Sequence, residues 1–141
     1  MVFSFAKAEL FMTIKTKKNL IIDAANEKII FKIIDNNKIY TNGYENSRKN
    51  FDKFAILLFK FLNKKVTSFD NIDNVLINLG PGKFTSIRTS VSTLKALNLI
   101  YKFNIYGFST KDVEKYDYSR VLDLLKKGKL IKNLIKPLYM S

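Results

Sequence analysis

Two apolar segments separated by one helical segment constrain the fold of this chain more than any other feature of its sequence. The first, VLINL at 75–79, predicts a buried strand, and NIYGFST at 104–110 predicts a second. Between them, residues 85–102 repeat apolar and small side chains at helical spacing. Strands joined through a helix pair in parallel by a right-handed crossover, and the helix covers one face of the sheet. The sequence therefore predicts a parallel β-α-β unit.

Three short strands and one long helix are predicted before this unit. Apolar runs at 19–23, 28–34 and 38–42 are separated by turn residues and are typical of an antiparallel meander. Residues 47–64 then repeat apolar side chains at helical spacing, with Ser47 as a candidate N-cap. The predicted order is βββ-α-β-α-β, followed by a short C-terminal helix and a tail. This order describes a single α/β lobe.

The stretch INLGPGKFTSIR, residues 77–88, has the composition of a phosphate-binding loop but not its spacing. A P-loop requires a glycine five residues before Gly82, where Ile77 stands. It also requires a hydroxyl residue after Lys83, where Phe84 stands. The third glycine of a Rossmann fingerprint is replaced by threonine. The spacing therefore disfavours a nucleotide site.

A structural turn explains the same residues better. Gly80 can adopt backbone angles that are closed to other residues, and Pro81 fixes its own φ. Gly82 lets the chain turn into the following helix, and Phe84 is expected to fill the gap between strand end and helix start. We interpret these four residues as a strand-to-helix corner, and we expect Lys83 to be exposed to solvent.

Composition excludes several classes of chemistry. The chain has no cysteine and no histidine, so disulfides, thiolate chemistry and the commonest general base are absent. A metal site would have only carboxylates as charged ligands, and we expect none. Apolar runs fall short of the ~20 residues that a bilayer span requires, and the N-terminus is a poor signal peptide. We expect a cytoplasmic protein with no membrane contact.

The net charge of +13 allows contact with nucleic acid without specifying it. The cations are 22 lysines and only 3 arginines, whereas dedicated nucleic-acid surfaces use arginine for forked contacts. A small basic RNA-binding module remains an alternative, with some of the 12 phenylalanines and 7 tyrosines stacking on bases. Most of these aromatic residues fall on predicted core faces, which counts against this alternative.

The two long predicted helices present apolar or small residues on more than one side. The first helix is expected either to bury two faces within the fold, or to bury one face within the fold and the other against a partner. The second has a stripe of small residues that allows close approach either to its own sheet or to a partner. The candidate interface residues are Phe51, Phe54, Ala55, Leu58 and Leu62 on the first helix, and Ser86, Thr89, Ser90, Thr93 and Ala96 on the second.

Four motifs in the right order resemble the bacterial TsaB (YeaZ) family. INLGPGKFTSIR, with the helix after it, resembles the family pattern G-P-G-S-F-T-G-[LV]-R. NLIIDAANEKI resembles the first strand and its I-D-T turn, and NIYGFST is similar to G-V-S-T. The terminal KPLYMS resembles P-[VL]-Y-L-R. The resemblance covers residues 19–110 and the last few residues.

The resemblance implies an actin-like (ASKHA, ribonuclease H-like) fold and a role as a scaffold. Such a protein is not an enzyme by itself but a subunit of a threonylcarbamoyltransferase complex. It pairs with TsaD, and with the ATPase TsaE, to form N6-threonylcarbamoyladenosine at position 37 of tRNAs that read ANN codons. The two long helices would contact TsaD, and related surfaces can form a homodimer. This chain alone would bind no cofactor; the complex would use ATP and hold the tRNA.

The chain also departs from the family pattern. Lys83 replaces a serine, Ser86 replaces the second glycine, and the family's second lobe is reduced to about two dozen residues. We therefore predict an N-terminal extension at 1–18, an actin-like lobe at 19–110, and a reduced second lobe with the tail at 111–141. An actin-like nucleotide-binding protein remains a further alternative.

Overall fold

The computed structural model describes residues 17–65 and 68–132. Within them the chain forms a six-stranded sheet and four α-helices. The strands are β1 (Lys18–Asp23), β2 (Lys28–Asp35), β3 (Lys38–Glu45), β4 (Asn74–Asn78), β5 (Asn104–Phe108) and β6 (Ile131–Lys132). The helices are α1 (Arg48–Phe51), α2 (Phe54–Lys64), α3 (Phe84–Leu97) and α4 (Ser119–Lys126).

The sheet combines an antiparallel meander with a parallel β-α-β unit, as predicted. The strand order is β3-β2-β1-β4-β5-β6. β1, β2 and β3 pair antiparallel, and β1, β4 and β5 pair parallel, with Leu20 and Ile105 on either side of Val75. The two-residue β6 was not predicted and pairs antiparallel with β5. The predicted order of the main elements is therefore confirmed.

Each face of the sheet is covered by helices. On one face, Leu20, Ile22 and Phe31 pack with the buried side chains of α2 and α3. On the other face, Ile21, Ile30, Leu76 and Phe108 pack with Tyr118 and Val121 at the start of α4. Side chains of neighbouring β1 residues point to opposite faces of the sheet, so this one apolar strand contributes to the core on both faces.

The first predicted helix is interrupted, so the prediction of one helix over 47–64 is wrong. Ser47 caps α1, and its hydroxyl accepts a hydrogen bond from the Asn50 amide at 3.4 Å. Lys53 then takes non-helical angles (φ −105°, ψ 19°), and α2 begins after it. The restart places the Phe54 ring against Phe31, with 5.5 Å between ring centroids.

The second predicted helix ends earlier than residue 102. Its regular turns stop at Leu97, and residues 98–101 form turns. The side-chain amide of Asn98, once oriented to satisfy its neighbours, donates to the carbonyls of Tyr101 and Phe103. These contacts hold the chain in a path that leaves the helix and leads into β5.

Residues 111–132 of the predicted reduced lobe pack on the same sheet as the first lobe. α4 covers the second face, and Gly128 follows it with φ 67°. Most of the predicted N-terminal extension and the KPLYMS motif lie outside the described residues. In the described part of the chain, no helix is long and apolar enough to cross a membrane.

Candidate partner interface

The strand-to-helix corner positions α3 by a close backbone approach. Gly80 has φ 101°, and the Gly80–Pro81 peptide bond is cis. A Cβ atom on Gly82 would lie 2.3 Å from the carbonyl oxygen of Ala25. The Lys83 amide donates to that same carbonyl at 2.8 Å. The glycine is therefore required because the turn after β1 lies directly against it.

The corner differs from its prediction at Phe84. This side chain is 47% exposed and does not fill the gap between β4 and α3, whereas Ala25 lies directly against Gly82. Lys83 is exposed as expected; its ammonium lies 3.7 Å from a Glu27 carboxylate oxygen and 3.4 Å from the Asn46 carbonyl. This lysine is engaged with the β1–β2 turn.

Asn46 fastens the start of α3 to the turn after β1. Its side-chain amide donates to the carbonyls of Ala24 and Asn26, at 2.9 and 2.7 Å, and to the Ser86 hydroxyl at 3.1 Å. The Ser86 hydroxyl donates in turn to the Ala24 carbonyl at 2.7 Å. Ser86 is therefore buried in this junction, which corrects its predicted place on a partner surface.

Three of the predicted interface residues on the first helix belong to the chain's own core. Phe54, Leu58 and Leu62 are buried against the sheet, and Phe51 is partly buried beside them. Ala55 is exposed. The apolar spacing therefore marks the side of the helix that packs on the sheet. Ala55 is the accessible member of the predicted set.

The stripe of small residues on α3 is divided in the same way. Ser90 is buried, and its hydroxyl donates to the Ile87 carbonyl at 2.8 Å. Thr89 and Thr93 are partly exposed, and each hydroxyl donates to the carbonyl four residues earlier. Ala96 is exposed. The accessible part of the predicted set is therefore Thr89, Thr93 and Ala96.

Exposed apolar residues that the prediction omitted lie beside this set. Ile56 and Phe59 on α2 are 56% and 37% exposed, and Leu99 just after α3 is 89% exposed. The Phe59 ring meets Phe69 edge to face at 5.5 Å, and Phe69 lies 5.4 Å from Tyr101. This aromatic series joins α2 to the end of α3. The spacing of Ile56 and Phe59, outside the core stripe, was a usable signal.

We call the exposed side of α2 and α3 the helix-pair face. It contains the accessible predicted residues and the apolar residues beside them. Because it exposes several apolar side chains over two adjacent helices, it has the character of a docking surface. Its members are Ala55, Ile56, Phe59, Thr89, Thr93 and Ala96.

A buried carboxylate lies at the opposite layer, at the end of β1. Asp23 is fully buried and accepts hydrogen bonds from the Tyr118 hydroxyl at 2.8 Å, the Asn78 amide at 2.9 Å and the Ala25 backbone at 3.2 Å. Burial, reinforced by the Asp23 charge, raises the pKa of the Tyr118 hydroxyl far above its usual value. The carboxylate is therefore closed off by donors of the same chain.

A cleft lies at the amino ends of the parallel strands β4 and β5. Its volume is about 420 Å³, and none of the predicted site residues lines it. No group of three or more potential metal-ligating side chains occurs within residues 17–65 and 68–132. The cleft is lined by Lys17, Asp73, Asn74, Asn98, Lys102, Phe103 and Asn104.

Sequence comparison does not place the chain in a known family. No family model matches it, and no curated protein is significantly similar in sequence.

Comparison of structures shows the fold. YeaZ from Pseudomonas aeruginosa aligns with a TM-score of 0.60 at 15% identity, over 66% of this chain and 44% of that one. A protein described as similar to the peptidase YEAZ, from the same organism, gives the same score and identity over 66% and 43%. The chain therefore spans less than half the length of these YeaZ structures.

A third similar structure covers more of the chain. RuvC from T. thermophilus, solved in complex with a Holliday junction substrate, aligns with a TM-score of 0.52 at 7% identity. The alignment covers 83% of this chain and 99% of RuvC. The predicted α/β fold of the ribonuclease H-like, ASKHA type is confirmed, and the YeaZ-like architecture with it.

Proposed function

We propose that this chain is a non-catalytic partner of a TsaD protein in the formation of N6-threonylcarbamoyladenosine at position 37 of tRNAs that read ANN codons. The observation that carries the proposal is the YeaZ-like fold, found in a chain whose motifs resemble the TsaB family in the same order. The chain would act through its helix-pair face, within a complex that also uses TsaE and ATP.

The polar chemistry of the lobe supports a scaffold rather than a nucleotide enzyme. Asp23 is a buried carboxylate at the carboxyl end of a parallel strand, where an actin-like enzyme would need open polar groups. Its oxygens already accept hydrogen bonds from Tyr118 and Asn78. The side-chain oxygen Oδ1 of Asn78 in turn accepts from the Gly80 backbone amide and the Thr110 hydroxyl. These groups hold the lobe together instead of facing a ligand.

The helix-pair face supports contact with a protein. Ile56 and Phe59 expose apolar surface on α2. The small side chain of Ala96 allows another helix to approach α3 closely. The buried side chains of the same helices anchor both to the sheet, so the face is presented on a rigid support.

Ala55→Glu and Thr93→Glu are each expected to weaken the complex with the cognate TsaD by about 10-fold or more. The reason is that either carboxylate would be placed in the apolar centre of the helix-pair face. The affinity is measured by calorimetry or co-purification at micromolar concentration. Lys126→Glu on α4, which covers the other face of the sheet, is the control and should bind like the wild type.

Two results would contradict this proposal in different ways. Failure of the wild-type chain and TsaD to form a complex at micromolar concentration would reject the proposed partnership. Unchanged affinity in both glutamate variants, with a normal wild-type complex, would keep the partnership and move the interface off α2 and α3.

A basic RNA-binding module is the second candidate, because the net charge of the chain is +13. It predicts that the isolated chain binds tRNA with an affinity that falls steeply as salt increases. The buried rings of Phe31, Phe54, Phe61 and Phe69 are unavailable for stacking on bases. Absence of tRNA binding at low salt would eliminate this candidate.

A further inference from the structure

The net positive charge of the described residues is concentrated on the layer that carries the helix-pair face. Residues 47–65 and 83–102, which contain α1, α2 and α3, hold ten cations and one acidic residue, Asp52. The remaining described residues hold twelve cations and ten acidic residues, so they are nearly balanced. The ten cations are Arg48, Lys49, Lys53, Lys60, Lys64, Lys65, Lys83, Arg88, Lys95 and Lys102.

On α2 the basic residues lie on the flank opposite Ala55 and Phe59, and Ile56 lies between the two flanks on the outermost side. At about 100° per residue, Ala55 and Phe59 fall beside buried Leu62, whereas Lys60 and Lys64 fall on the other side. The contacts of the neighbouring residues agree with this division. Phe59 reaches Phe69, below the end of α3, whereas the Lys65 ammonium lies 4.9 Å from the ring centroid of Tyr40 on β3, the strand at the sheet edge.

α3 also has one uncharged flank and one basic flank. Its uncharged flank lies on the side of α2, so the uncharged flanks of the two helices face each other. Thr89 and Thr93 lie on the flank that begins with Ser86, which bonds Asn46 just before α1. Arg88 and Lys95 lie on the far flank. The central strip is therefore Ala55, Phe59, Thr89, Thr93 and Ala96. It is bordered on both sides by basic margins, which are Lys53 just before α2 with Lys60 and Lys64 on it, and Arg88 and Lys95 on α3.

The charge of these basic margins is not neutralised within the described part of the chain. Ion pairs there involve Lys18, Lys83, Arg120 and Lys127, and none of the five margin residues takes part in one. A protein surface that covers the central strip must therefore face this positive charge on both sides.

We infer that the helix-pair face is complementary to a helical surface with an apolar ridge flanked by carboxylates, and that it disfavours a second copy of this chain. This rests on the proposed function, in which that surface belongs to TsaD. A two-fold self-contact would bring the same face of each copy together, and the margins would repel one another. An acidic partner converts the same charges into attraction and into faster association.

A protein is favoured over RNA as the occupant by the centre of the face. Ile56 and Phe59 are exposed and apolar, and a polyanion contacted through phosphates would leave them without a matching surface. Arg88 is the single arginine among the five margin residues, whereas forked arginine contacts dominate recognition of phosphates and bases.

The test compares two double variants that change net charge equally. Lys60→Glu with Lys64→Glu alters one margin, and Lys126→Glu with Lys127→Glu alters the opposite face of the sheet. At low salt, the margin variant should bind cognate TsaD about 10-fold or more weakly, and the control should change about 2-fold or less. Wild-type affinity should also fall about 10-fold between roughly 50 and 500 mM NaCl.

Self-association is measured separately, by sedimentation of the isolated full chain at low and high salt. A monomer at low salt is expected, because screening is weakest there. If the wild-type chain dimerises at low salt and the margin variant changes that dimerisation, the inference is overturned, whatever the affinity for TsaD. TsaD binding that ignores salt, or that is weakened equally in both variants, overturns the inference and leaves the proposed function standing.

Two remaining outcomes also decide between explanations. If wild-type chain and TsaD form no complex at any salt concentration, the proposed function and the inference both fall. If the margin variant loses tRNA binding while its affinity for TsaD is unchanged, the margins serve RNA and the inference is overturned.

Discussion

Gly82→Ala is expected to lower the free energy of unfolding by about 3 kcal/mol or more, the largest effect of any alanine substitution at the glycines whose surroundings are described. The added Cβ would lie 2.3 Å from the Ala25 carbonyl oxygen and 2.8 Å from the Ala25 Cβ. One atom belongs to the backbone and the other is a Cβ, so a side-chain rotation cannot relieve the contact. The hydrogen bond from the Lys83 amide to Ala25 would be lost as the backbones separate.

Two other glycines provide matched controls. At Gly43 the nearest atom to an added Cβ is the end of the Ile30 side chain at 3.1 Å, which can move. At Gly128 nothing lies within 4 Å, but φ is 67°, so alanine should cost about 1 kcal/mol through backbone strain alone. Urea denaturation should rank Gly82→Ala well below both controls in stability. Equal stability of Gly82→Ala and Gly128→Ala would show that the corner relaxes at a cost of only about 1 kcal/mol, and would contradict the prediction.

The fold was predictable because its signals are local. Apolar strands at 75–79 and 104–110 with a helical segment between them specify the β-α-β unit, and turn residues specify the meander. The break at Lys53 was not predictable in this way, since the apolar spacing continues across it and only the packing of Phe54 on Phe31 separates the two helices.

The candidate interface was predicted only in part, because periodicity finds apolar sides without saying which of them the chain itself covers. Leu58 and Ala55 both fit the first helix pattern, yet one is in the core and the other is exposed. Ser86 fits the small-residue stripe, yet its partner is Asn46, forty residues away. Long-range hydrogen bonds of this kind have no local signature.

The hydrogen bond between Tyr118 and Asp23 joins residues that are 95 positions apart in the sequence, and it leads to the second large prediction. Tyr118→Phe is expected to destabilise the chain by about 2–3 kcal/mol. The variant keeps the ring and its packing on Phe108 but removes the hydroxyl that donates to the buried carboxylate. Asp23 would then keep donors from Asn78 and Ala25, with one oxygen losing its partner. Urea denaturation near neutral pH measures the difference.

Because of the same hydroxyl, the difference in free energy of unfolding between wild type and Tyr118→Phe should depend on pH. Burial raises the pKa of Tyr118 far above its usual value of 10, so the folded chain keeps the phenol protonated while the unfolded chain ionises it. Because the folded pKa is the higher one, the stabilisation is complete below pH 10 and is lost as pH rises further. The wild type should lose roughly 1 kcal/mol per pH unit more than the variant there. A constant difference from pH 8 to 11 would show that Tyr118 ionises as easily folded as unfolded, and would contradict its burial against Asp23.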